Sequence, residues 1–237
     1  DDCEYVGNNA LEGCKSLTEI KLFAKDYGYY VFKDCTAAKK ISMNGAGIKP
    51  YVTPGGRASK ILEPNVSQTD LSYGLFRGCS SLTFLDADIS KNEIIPKETF
   101  YGCTSLENVD FPSARIIDPS AFENCTALKK INNSSIKAED YGSRCFYNCT
   151  SLTSEVEGDI STIGGSAFQN SGITKVNIEG MVGGTVVIGD SAFADCKNLK
   201  DAVVLSSNTA EFKVGNSIFQ NCIELEKAEF EGKIITD

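Results

Sequence analysis

Residues 116–132, "IIDPSAFENCTALKKIN", carry the pattern that decides the fold of this 237-residue chain. In this stretch Phe122 and Cys125 are three residues apart, and Leu128 follows the cysteine at the same distance. The Phe-x-x-Cys spacing occurs in seven strict copies, which begin at Phe32, Phe76, Phe100, Phe122, Phe146, Phe193 and Phe219. Two degenerate copies, Leu11/Cys14 and Phe168/Ser171, complete the series. A repeat at a nearly constant period predicts a fold of stacked, similar units.

The interval between copies is regular except at one place. The nine anchor residues are separated by 21, 44, 24, 22, 24, 22, 25 and 26 residues. An interval of 44 equals two periods, so one unit between Cys35 and Cys79 either lacks its motif or is replaced by a loop. We therefore predict a single domain over residues 1–237, with an irregular or degenerate unit at residues 44–70.

Each unit is predicted to contain one short turn of helix, here at residues 120–123. Asp118 can accept a hydrogen bond from an N–H group at a helix start, and Pro119 at the first helical position has no N–H to lose. The residue before the cysteine position belongs to three types that tolerate positive φ: it is Gly13, Asp34, Gly78, Gly102, Asn124, Asn148, Asn170, Asp195 or Asn221. The pattern predicts a left-handed residue that closes the turn in every unit.

The apolar pattern changes period after the cysteine. Ile173, Val176 and Ile178 show the spacing, with apolar residues at relative positions 0, 3 and 5. The two-residue interval between positions 3 and 5 is typical of a strand that buries one face, because alternate side chains point to the same side. A second apolar pair, such as Ile116 and Ile117, precedes the turn. One such unit cannot bury its apolar face alone, whereas stacked units pair like strand with like strand at about 4.8 Å.

These motifs resemble the BspA-like class of leucine-rich repeats, as "SAFENCTALKKI", "TFYGCTSLENVDFP" and "IGDSAFADCKNL" illustrate. With the repeat pattern, the resemblance implies a β-rich α/β fold, a right-handed parallel leucine-rich repeat solenoid of about ten coils of 22–26 residues. It also implies a secreted or cell-surface setting, typically bacterial, and adhesion to host proteins or other cells. The motif positions of this family are structural, so the resemblance assigns no binding residue.

Composition argues against several classes of function. The formal net charge is −9, and no basic run interleaved with aromatic residues occurs, which argues against a nucleic-acid partner. No apolar run approaches the roughly 18 residues of a membrane span. The chain has no histidine, which removes Ser-His-Asp and Cys-His catalysis and most zinc hydrolase sites. We expect no enzyme, metal site or cofactor. A carboxylate pair stays open as an alternative, although no spacing among the 32 acidic residues singles one out.

Eight of the ten cysteines occupy the repeat position, and we interpret them as small buried core residues. Ser171 in the same position supports this reading, because a small side chain suffices there. A disulfide ladder is the alternative, but parallel Cβ atoms on stacked coils lie too far apart for it. We predict reduced, buried thiols at Cys79, Cys103, Cys125, Cys149, Cys196 and Cys222. Cys3 lies outside the repeat position, and a bridge to Cys14 is a further alternative.

Two surfaces are candidates for binding. The first is the outward row after the second apolar position of the strand, formed by Lys21, Asp86, Asp110, Asn132, Asn177 and Glu229. The second is the departure from the repeat, with Tyr51 and Arg57 as anchors and with Tyr27, Tyr29, Tyr30 and Tyr73 flanking it in sequence. For the outward row, the alternative is a solvated face without a partner. For the departure from the repeat, the alternative is a degenerate coil that only preserves the stack.

The sequence thus predicts a non-catalytic recognition or adhesion module for a host or cell-surface protein or glycan. The alternative is a spacer domain of a larger surface protein, with no ligand of its own. Bare solenoid ends expose strand edges, so we also expect either a longer parent protein or end-to-end contact between copies.

Overall fold

The computed structural model describes residues 3–43, 73–87, 89, 92–132, 135–180, 184–206 and 211–235. In these ranges the chain winds into nine coils, one for each anchor residue, and every strand pairing is parallel. The predicted parallel solenoid is confirmed, with nine coils where about ten were expected. Each coil consists of an extended segment, a set of tight turns and a strand after the cysteine position. The tight turns of successive coils together form the turn layer.

The described residues form nineteen strands. They are β1 (Cys3–Val6), β2 (Glu19–Leu22), β3 (Ala24–Tyr27), β4 (Lys40–Met43), β5 (Phe84–Asp86), β6 (Ile94–Ile95), β7 (Asn108–Val109), β8 (Ile116–Ile117), β9 (Lys130–Ile131), β10 (Ser135–Ile136), β11 (Asp140–Tyr141), β12 (Glu155–Ile160), β13 (Thr162–Ile163), β14 (Lys175–Gly180), β15 (Thr185–Ile188), β16 (Asp201–Ser206), β17 (Glu211–Val214), β18 (Lys227–Glu231) and β19 (Lys233–Ile234).

The strands lie in two layers. Strands after the cysteine position pair in the orders β2-β4-β5, β7-β9 and β10-β12-β14-β16-β18. Strands before the turns form one seven-stranded sheet, β6-β8-β11-β13-β15-β17-β19, and β1 pairs with β3. Equivalent residues are neighbours, so Val156 lies beside Val176 and Val176 beside Ala202. All three are buried, as the alternating pattern predicts.

The turn layer differs from the prediction, because residues 120–123 do not form a helical turn. The Glu123 N–H donates to the Ser120 carbonyl of its own coil at 3.2 Å, whereas the Phe122 N–H donates to the Cys145 carbonyl of the next coil at 2.8 Å. Ser120 has a φ of 57°, which a right-handed helix excludes. This alternation of bonds within and between coils recurs throughout the turn layer. No α-helix occurs in the described parts of the chain.

The left-handed residue predicted before the cysteine position is confirmed in all nine units, with φ between 56° and 72°. A second left-handed residue lies four positions earlier in every coil: Asn9, Tyr30, Gly74, Glu98, Ser120, Arg144, Ser166, Ser191 and Ser217. Tyrosine, glutamate and arginine seldom adopt this conformation. The hydrogen bonds between coils therefore impose it where the side chain does not favour it.

The core contains a continuous stack of eight anchor phenylalanines. Neighbouring ring centroids are 5.1–5.6 Å apart, with interplanar angles of 3–20°. The seven from Phe32 to Phe193 are fully buried, and Phe219 in the last coil is partly exposed. Burial of these rings and their mutual stacking contribute apolar stabilisation in the eight coils that carry them.

The stack passes directly from the coil of Phe32 to the coil of Phe76. Their rings stack at 5.6 Å, and β4 pairs with β5 through Lys40 and Phe84. These contacts make the two coils neighbours in the stack. Residues 44–70, predicted to be irregular or degenerate, lie outside the described residues.

The last coil is less covered than the middle ones. Every residue of β18 is exposed, and Ile223 is 75% exposed. The predicted end-to-end contact stays a prediction. Among the residues described, no helix has both the length and the apolar character needed to cross a membrane.

Candidate functional site

The repeated cysteine is a hydrogen-bond donor as well as a core residue. The Cys125 thiol lies 2.9 Å from the Phe100 carbonyl oxygen of the preceding coil. That oxygen also accepts the Cys103 N–H at 3.0 Å, which uses its second lone pair. The same thiol contact occurs at Cys35, Cys79, Cys103, Cys149, Cys196 and Cys222, at 3.0–3.1 Å. The repeated sulfur therefore links successive coils.

The predicted reduced and buried thiols are confirmed for Cys79, Cys103, Cys125, Cys149 and Cys196, while Cys222 is free but half-buried. The alternative bridge is not formed, since Cys3 and Cys14 are both free. Burial raises the pKa of Cys196 to about 12 and the pKa of Cys103 well above its ordinary value. A thiol with so high a pKa is a poor nucleophile at neutral pH, so these sulfurs are structural.

The predicted outward row lies on the strand layer but is not one uniform surface. Asp86 and Asp110 are exposed, whereas Asn132 and Asn177 are half-buried. The Asn132 side chain bonds the backbone of Phe111 through both its amide nitrogen, at 3.0 Å, and its oxygen, at 2.6 Å. Asn132 therefore has a structural role in joining two coils. The row as a binding surface stays a prediction.

The second predicted surface can be followed only in part. Tyr51 and Arg57 lie outside the described residues. Tyr27 is buried, and its hydroxyl accepts the Ala24 N–H at 3.0 Å, so it belongs to the core.

Three flanking tyrosines do come together on the turn layer. Tyr29 stacks on Tyr73 with a centroid distance of 5.1 Å and an interplanar angle of 7°, and Tyr30 meets both rings edge-on. A Cβ atom at Gly74 would lie 2.0 Å from the Tyr30 ring. Glycine at position 74 therefore lets the Tyr30 ring lie across that coil.

Two groups of aromatic and charged side chains follow one another from this cluster across five coils, and the charge of Arg77 acts on Glu123 between them. We call the two groups together the turn-face strip, and its members are Tyr30, Arg77, Glu98, Tyr101, Glu123, Arg144 and Tyr147. At one end, Glu98 binds the Tyr30 hydroxyl at 3.1 Å and Arg77 at 2.6 Å. The Arg77 guanidinium lies 4.0 Å from the centroid of the Tyr101 ring.

The other half of the strip repeats this arrangement. Arg144 binds Glu123 through two nitrogens, at 2.6 and 3.0 Å, and lies 3.8 Å from the Tyr147 ring centroid. Burial raises the pKa of Glu123, but hydrogen bonds from Arg144 and Ser120, together with attraction to Arg144 and Arg77, outweigh burial and lower the pKa overall. Partial burial, with Glu98 beside it, raises the pKa of Tyr30 to about 12. The strip is therefore held in one arrangement by ion pairs and ring contacts.

The sequence interpretation missed the strip because its members occupy two repeat positions that vary, two residues before and one residue after the anchor. A signal was present at the second position. Reading down the coils, it holds Lys33, Arg77, Tyr101, Glu123 and Tyr147 in the middle of the chain, and then Gln169, Ala194 and Gln220. Charged and aromatic types therefore concentrate in neighbouring coils.

The described ranges contain no group of cysteine and carboxylate side chains arranged to hold a metal ion. A shallow depression on the strand layer is lined by Lys130, Ser135, Thr153, Ser154, Glu155 and Glu157. The Ser154 hydroxyl in this depression already accepts a hydrogen bond from the Ile131 N–H at 3.3 Å, so it has a structural role.

A family model described as a BspA-type leucine-rich repeat region matches residues 1–50, 69–200 and 182–236 in six copies. No curated protein matches the chain. Among solved structures, a T. pallidum leucine-rich repeat protein is similar at 18% identity over 87% of this chain and 71% of its own, with a TM-score of 0.43. A Bacteroides ovatus leucine-rich repeat protein is 18% identical over 98% and 78%, with a TM-score of 0.35. A leucine-rich cell surface protein of Faecalibacterium prausnitzii is 15% identical over 99% and 83%, with a TM-score of 0.32.

Proposed function

Because the chain belongs to the BspA-type leucine-rich repeat family, we propose that it is a non-catalytic recognition module at the cell surface or in the secreted space, and that the turn-face strip is its binding surface. The observation that carries this proposal is the strip itself. Tyrosine and arginine are the residues most often found at the energetic centres of protein interfaces. In the strip they are fixed by contacts before any ligand arrives.

Fixed side chains favour binding because they lose little conformational entropy when a partner docks. The Arg144 guanidinium is held by two bonds to Glu123 and by the Tyr147 ring, and Arg77 is held by one bond to Glu98 and by the Tyr101 ring. A solvated face needs no such arrangement. Buried thiols with raised pKa values and a chain without histidine support a role other than catalysis.

A spacer domain without a ligand is the second candidate. It is favoured by the three coils from Phe168 onward, where the same repeat position holds Gln169, Ala194 and Gln220 and presents no aromatic group. Both functions can coexist, with recognition in the middle coils and spacing in the later ones.

Binding assays of the purified chain against a panel of extracellular-matrix proteins and polysaccharides test the proposal. For a ligand that binds, the double variant Tyr101→Ala/Tyr147→Ala should weaken affinity by about tenfold or more, as loss of interface anchors does. Phe84→Ala is the matched control, because Phe84 is an exposed aromatic residue on the strand layer and its loss should change affinity less than about twofold. Equal affinity of the double variant and the wild type would show that the binding surface lies outside the strip. If no member of the panel binds saturably, the spacer function is favoured.

A further inference from the structure

We propose that the partner of the turn-face strip is an acidic polypeptide segment, an inference that rests on the proposed recognition function. The first argument is the depth of the charged groups. The Glu123 side chain is 7% exposed and its partner Arg144 is 44% exposed. In the other pair, too, the glutamate is less exposed than the arginine: the Glu98 side chain is 17% exposed and the Arg77 side chain is 29% exposed. The carboxylates therefore lie beneath the guanidinium groups, and a partner meets positive charge on a chain whose net charge is −9.

The second argument is the hydrogen-bonding capacity that the arginines retain. A guanidinium has five N–H donors in a planar fork that matches a carboxylate. Arg77 uses one of its nitrogens for Glu98, and Arg144 uses two for Glu123. Each therefore keeps donors that can bind a carboxylate of a partner. The inner glutamates hold the forks in position for it.

The third argument is spacing. Arg77 and Arg144 belong to coils that are three steps apart, the coils of Phe76 and Phe146. At ring spacings of 5.1–5.2 Å these two coils are about 15 Å apart, so the two arginines, which occupy different repeat positions, need at least four to five residues of an extended chain at about 3.4 Å each between the groups that bind them. Two acidic residues at that separation in one segment can reach both arginines. Lys33, one coil before Arg77, is paired with Glu12 at 2.6 Å, so the two arginines carry the recognition.

The ring contacts favour a polypeptide over an anionic polysaccharide. A sugar ring packs on an open aromatic face. Tyr101 and Tyr147 each have a guanidinium over a ring face, and Tyr29 and Tyr73 cover one another. The strip thus offers ring edges and hydroxyl groups next to cations, which suits side chains and backbone of a peptide.

Fluorescence anisotropy with a labelled glutamate-rich peptide tests this inference on the intact chain. We expect saturable binding in low salt, weakened by about tenfold when ionic strength rises from about 0.02 M to about 0.2 M. Arg77→Gln/Arg144→Gln should weaken binding by about tenfold or more, whereas Arg77→Lys/Arg144→Lys should retain part of it through charge alone. Arg115→Gln, an exposed arginine paired with Glu139 outside the strip, is the matched control and should change binding less than about twofold.

If the glutamine variant fails to fold, mapping where the peptide binds on the wild-type chain still decides the test. Peptide-induced shifts of backbone amide resonances should cluster at Arg77, Tyr101, Arg144 and Tyr147. Shifts confined to the strand layer, or equal binding of a lysine-rich peptide, would overturn the inference. Tighter binding of heparin through the same two arginines would assign the site to an anionic polysaccharide instead. A panel ligand that requires Tyr101 and Tyr147 but ignores salt and the two arginines would refute the acidic partner and leave the recognition function standing.

Discussion

The cysteine of the repeat shows how one side chain serves both packing and hydrogen bonding. Cys125 is fully buried and its thiol donates to the Phe100 carbonyl. Cys125→Ala removes the donor and leaves a small cavity, so we expect a loss of about 1–2 kcal/mol in the free energy of unfolding. Cys125→Ser keeps a donor of similar size and should lose less than Cys125→Ala. Urea denaturation measures both, and Cys3→Ser, at an exposed cysteine, is the control without effect. Equal losses for serine and alanine would mean that the bond contributes nothing.

Asp118 gives a pH-dependent prediction at the same scale. Burial raises its pKa to about 6, although a backbone hydrogen bond from Lys97 and the Lys97 charge oppose the shift. Because the folded pKa exceeds the ordinary value, ionised Asp118 destabilises the fold above pH 6, and protonation relieves this cost as the pH falls towards about 4. Asp118→Asn should therefore be more stable than the wild type by about 2 kcal/mol at neutral pH and equal to it at about pH 4. Thermal denaturation across pH checks this, with Asp110→Asn, at an exposed aspartate, as the control variant. A constant difference at all pH values would contradict it.

At the scale of the element, ion pairs join neighbouring coils, and their depth decides their value. Removing Arg144 leaves the buried Glu123 carboxylate without its cation, so Arg144→Ala should cost about 2–3 kcal/mol of unfolding free energy. Arg115 also pairs with a glutamate of the next coil, Glu139, but both side chains are exposed. Arg115→Ala should therefore cost less than about 0.5 kcal/mol. Chemical denaturation of the two variants compares them directly, and similar losses would show that burial of Glu123 is not the deciding factor.

The elements also show which parts of the fold the sequence could predict. The left-handed residue before the cysteine was predictable, because only glycine, asparagine and aspartate occur there. The second left-handed position was not, because Tyr30, Glu98 and Arg144 adopt it under the constraint of bonds between coils rather than by preference. The helical turn was wrongly predicted for a related reason. Turns and helices share their three-residue spacing and cap residues, and only the bonds to the next coil distinguish them here.

The site was less predictable than the fold. Repetition identifies buried positions, since every coil needs the same residue there, but it says little about positions that vary. Arg144 and Glu123 occupy different repeat positions, and their contact depends on how two coils are offset. Tyr30 reaches Glu98 across an intervening coil only because Gly74 leaves room for its ring. Such pairs follow from the stacking of coils, not from the spacing within one.

At the scale of the whole molecule, the stack of coils makes stability a property of neighbours. In the core of a solenoid each unit packs against the units beside it, so a lost ring weakens two interfaces in the middle and one at an end. Phe122 stacks on Phe100 and Phe146, whereas Phe219 stacks on Phe193 within the anchor stack. Phe122→Ala should therefore cost about 3–5 kcal/mol, and Phe219→Ala clearly less.

Native-state hydrogen exchange can show whether the loss of stability in Phe122→Ala is confined to nearby coils or spreads over the whole stack. We expect Phe122→Ala to speed exchange of amides in its own coil and the two beside it, for example at Phe100 and Phe146, whose N–H groups bond across coils. Amides of the last coil should exchange at the wild-type rate, because their interfaces are unchanged. The Phe219→Ala variant supplies the reverse pattern as a control. If both variants accelerated exchange equally at every coil, the chain would open as one cooperative unit, and the nearest-neighbour description of this solenoid would be incorrect.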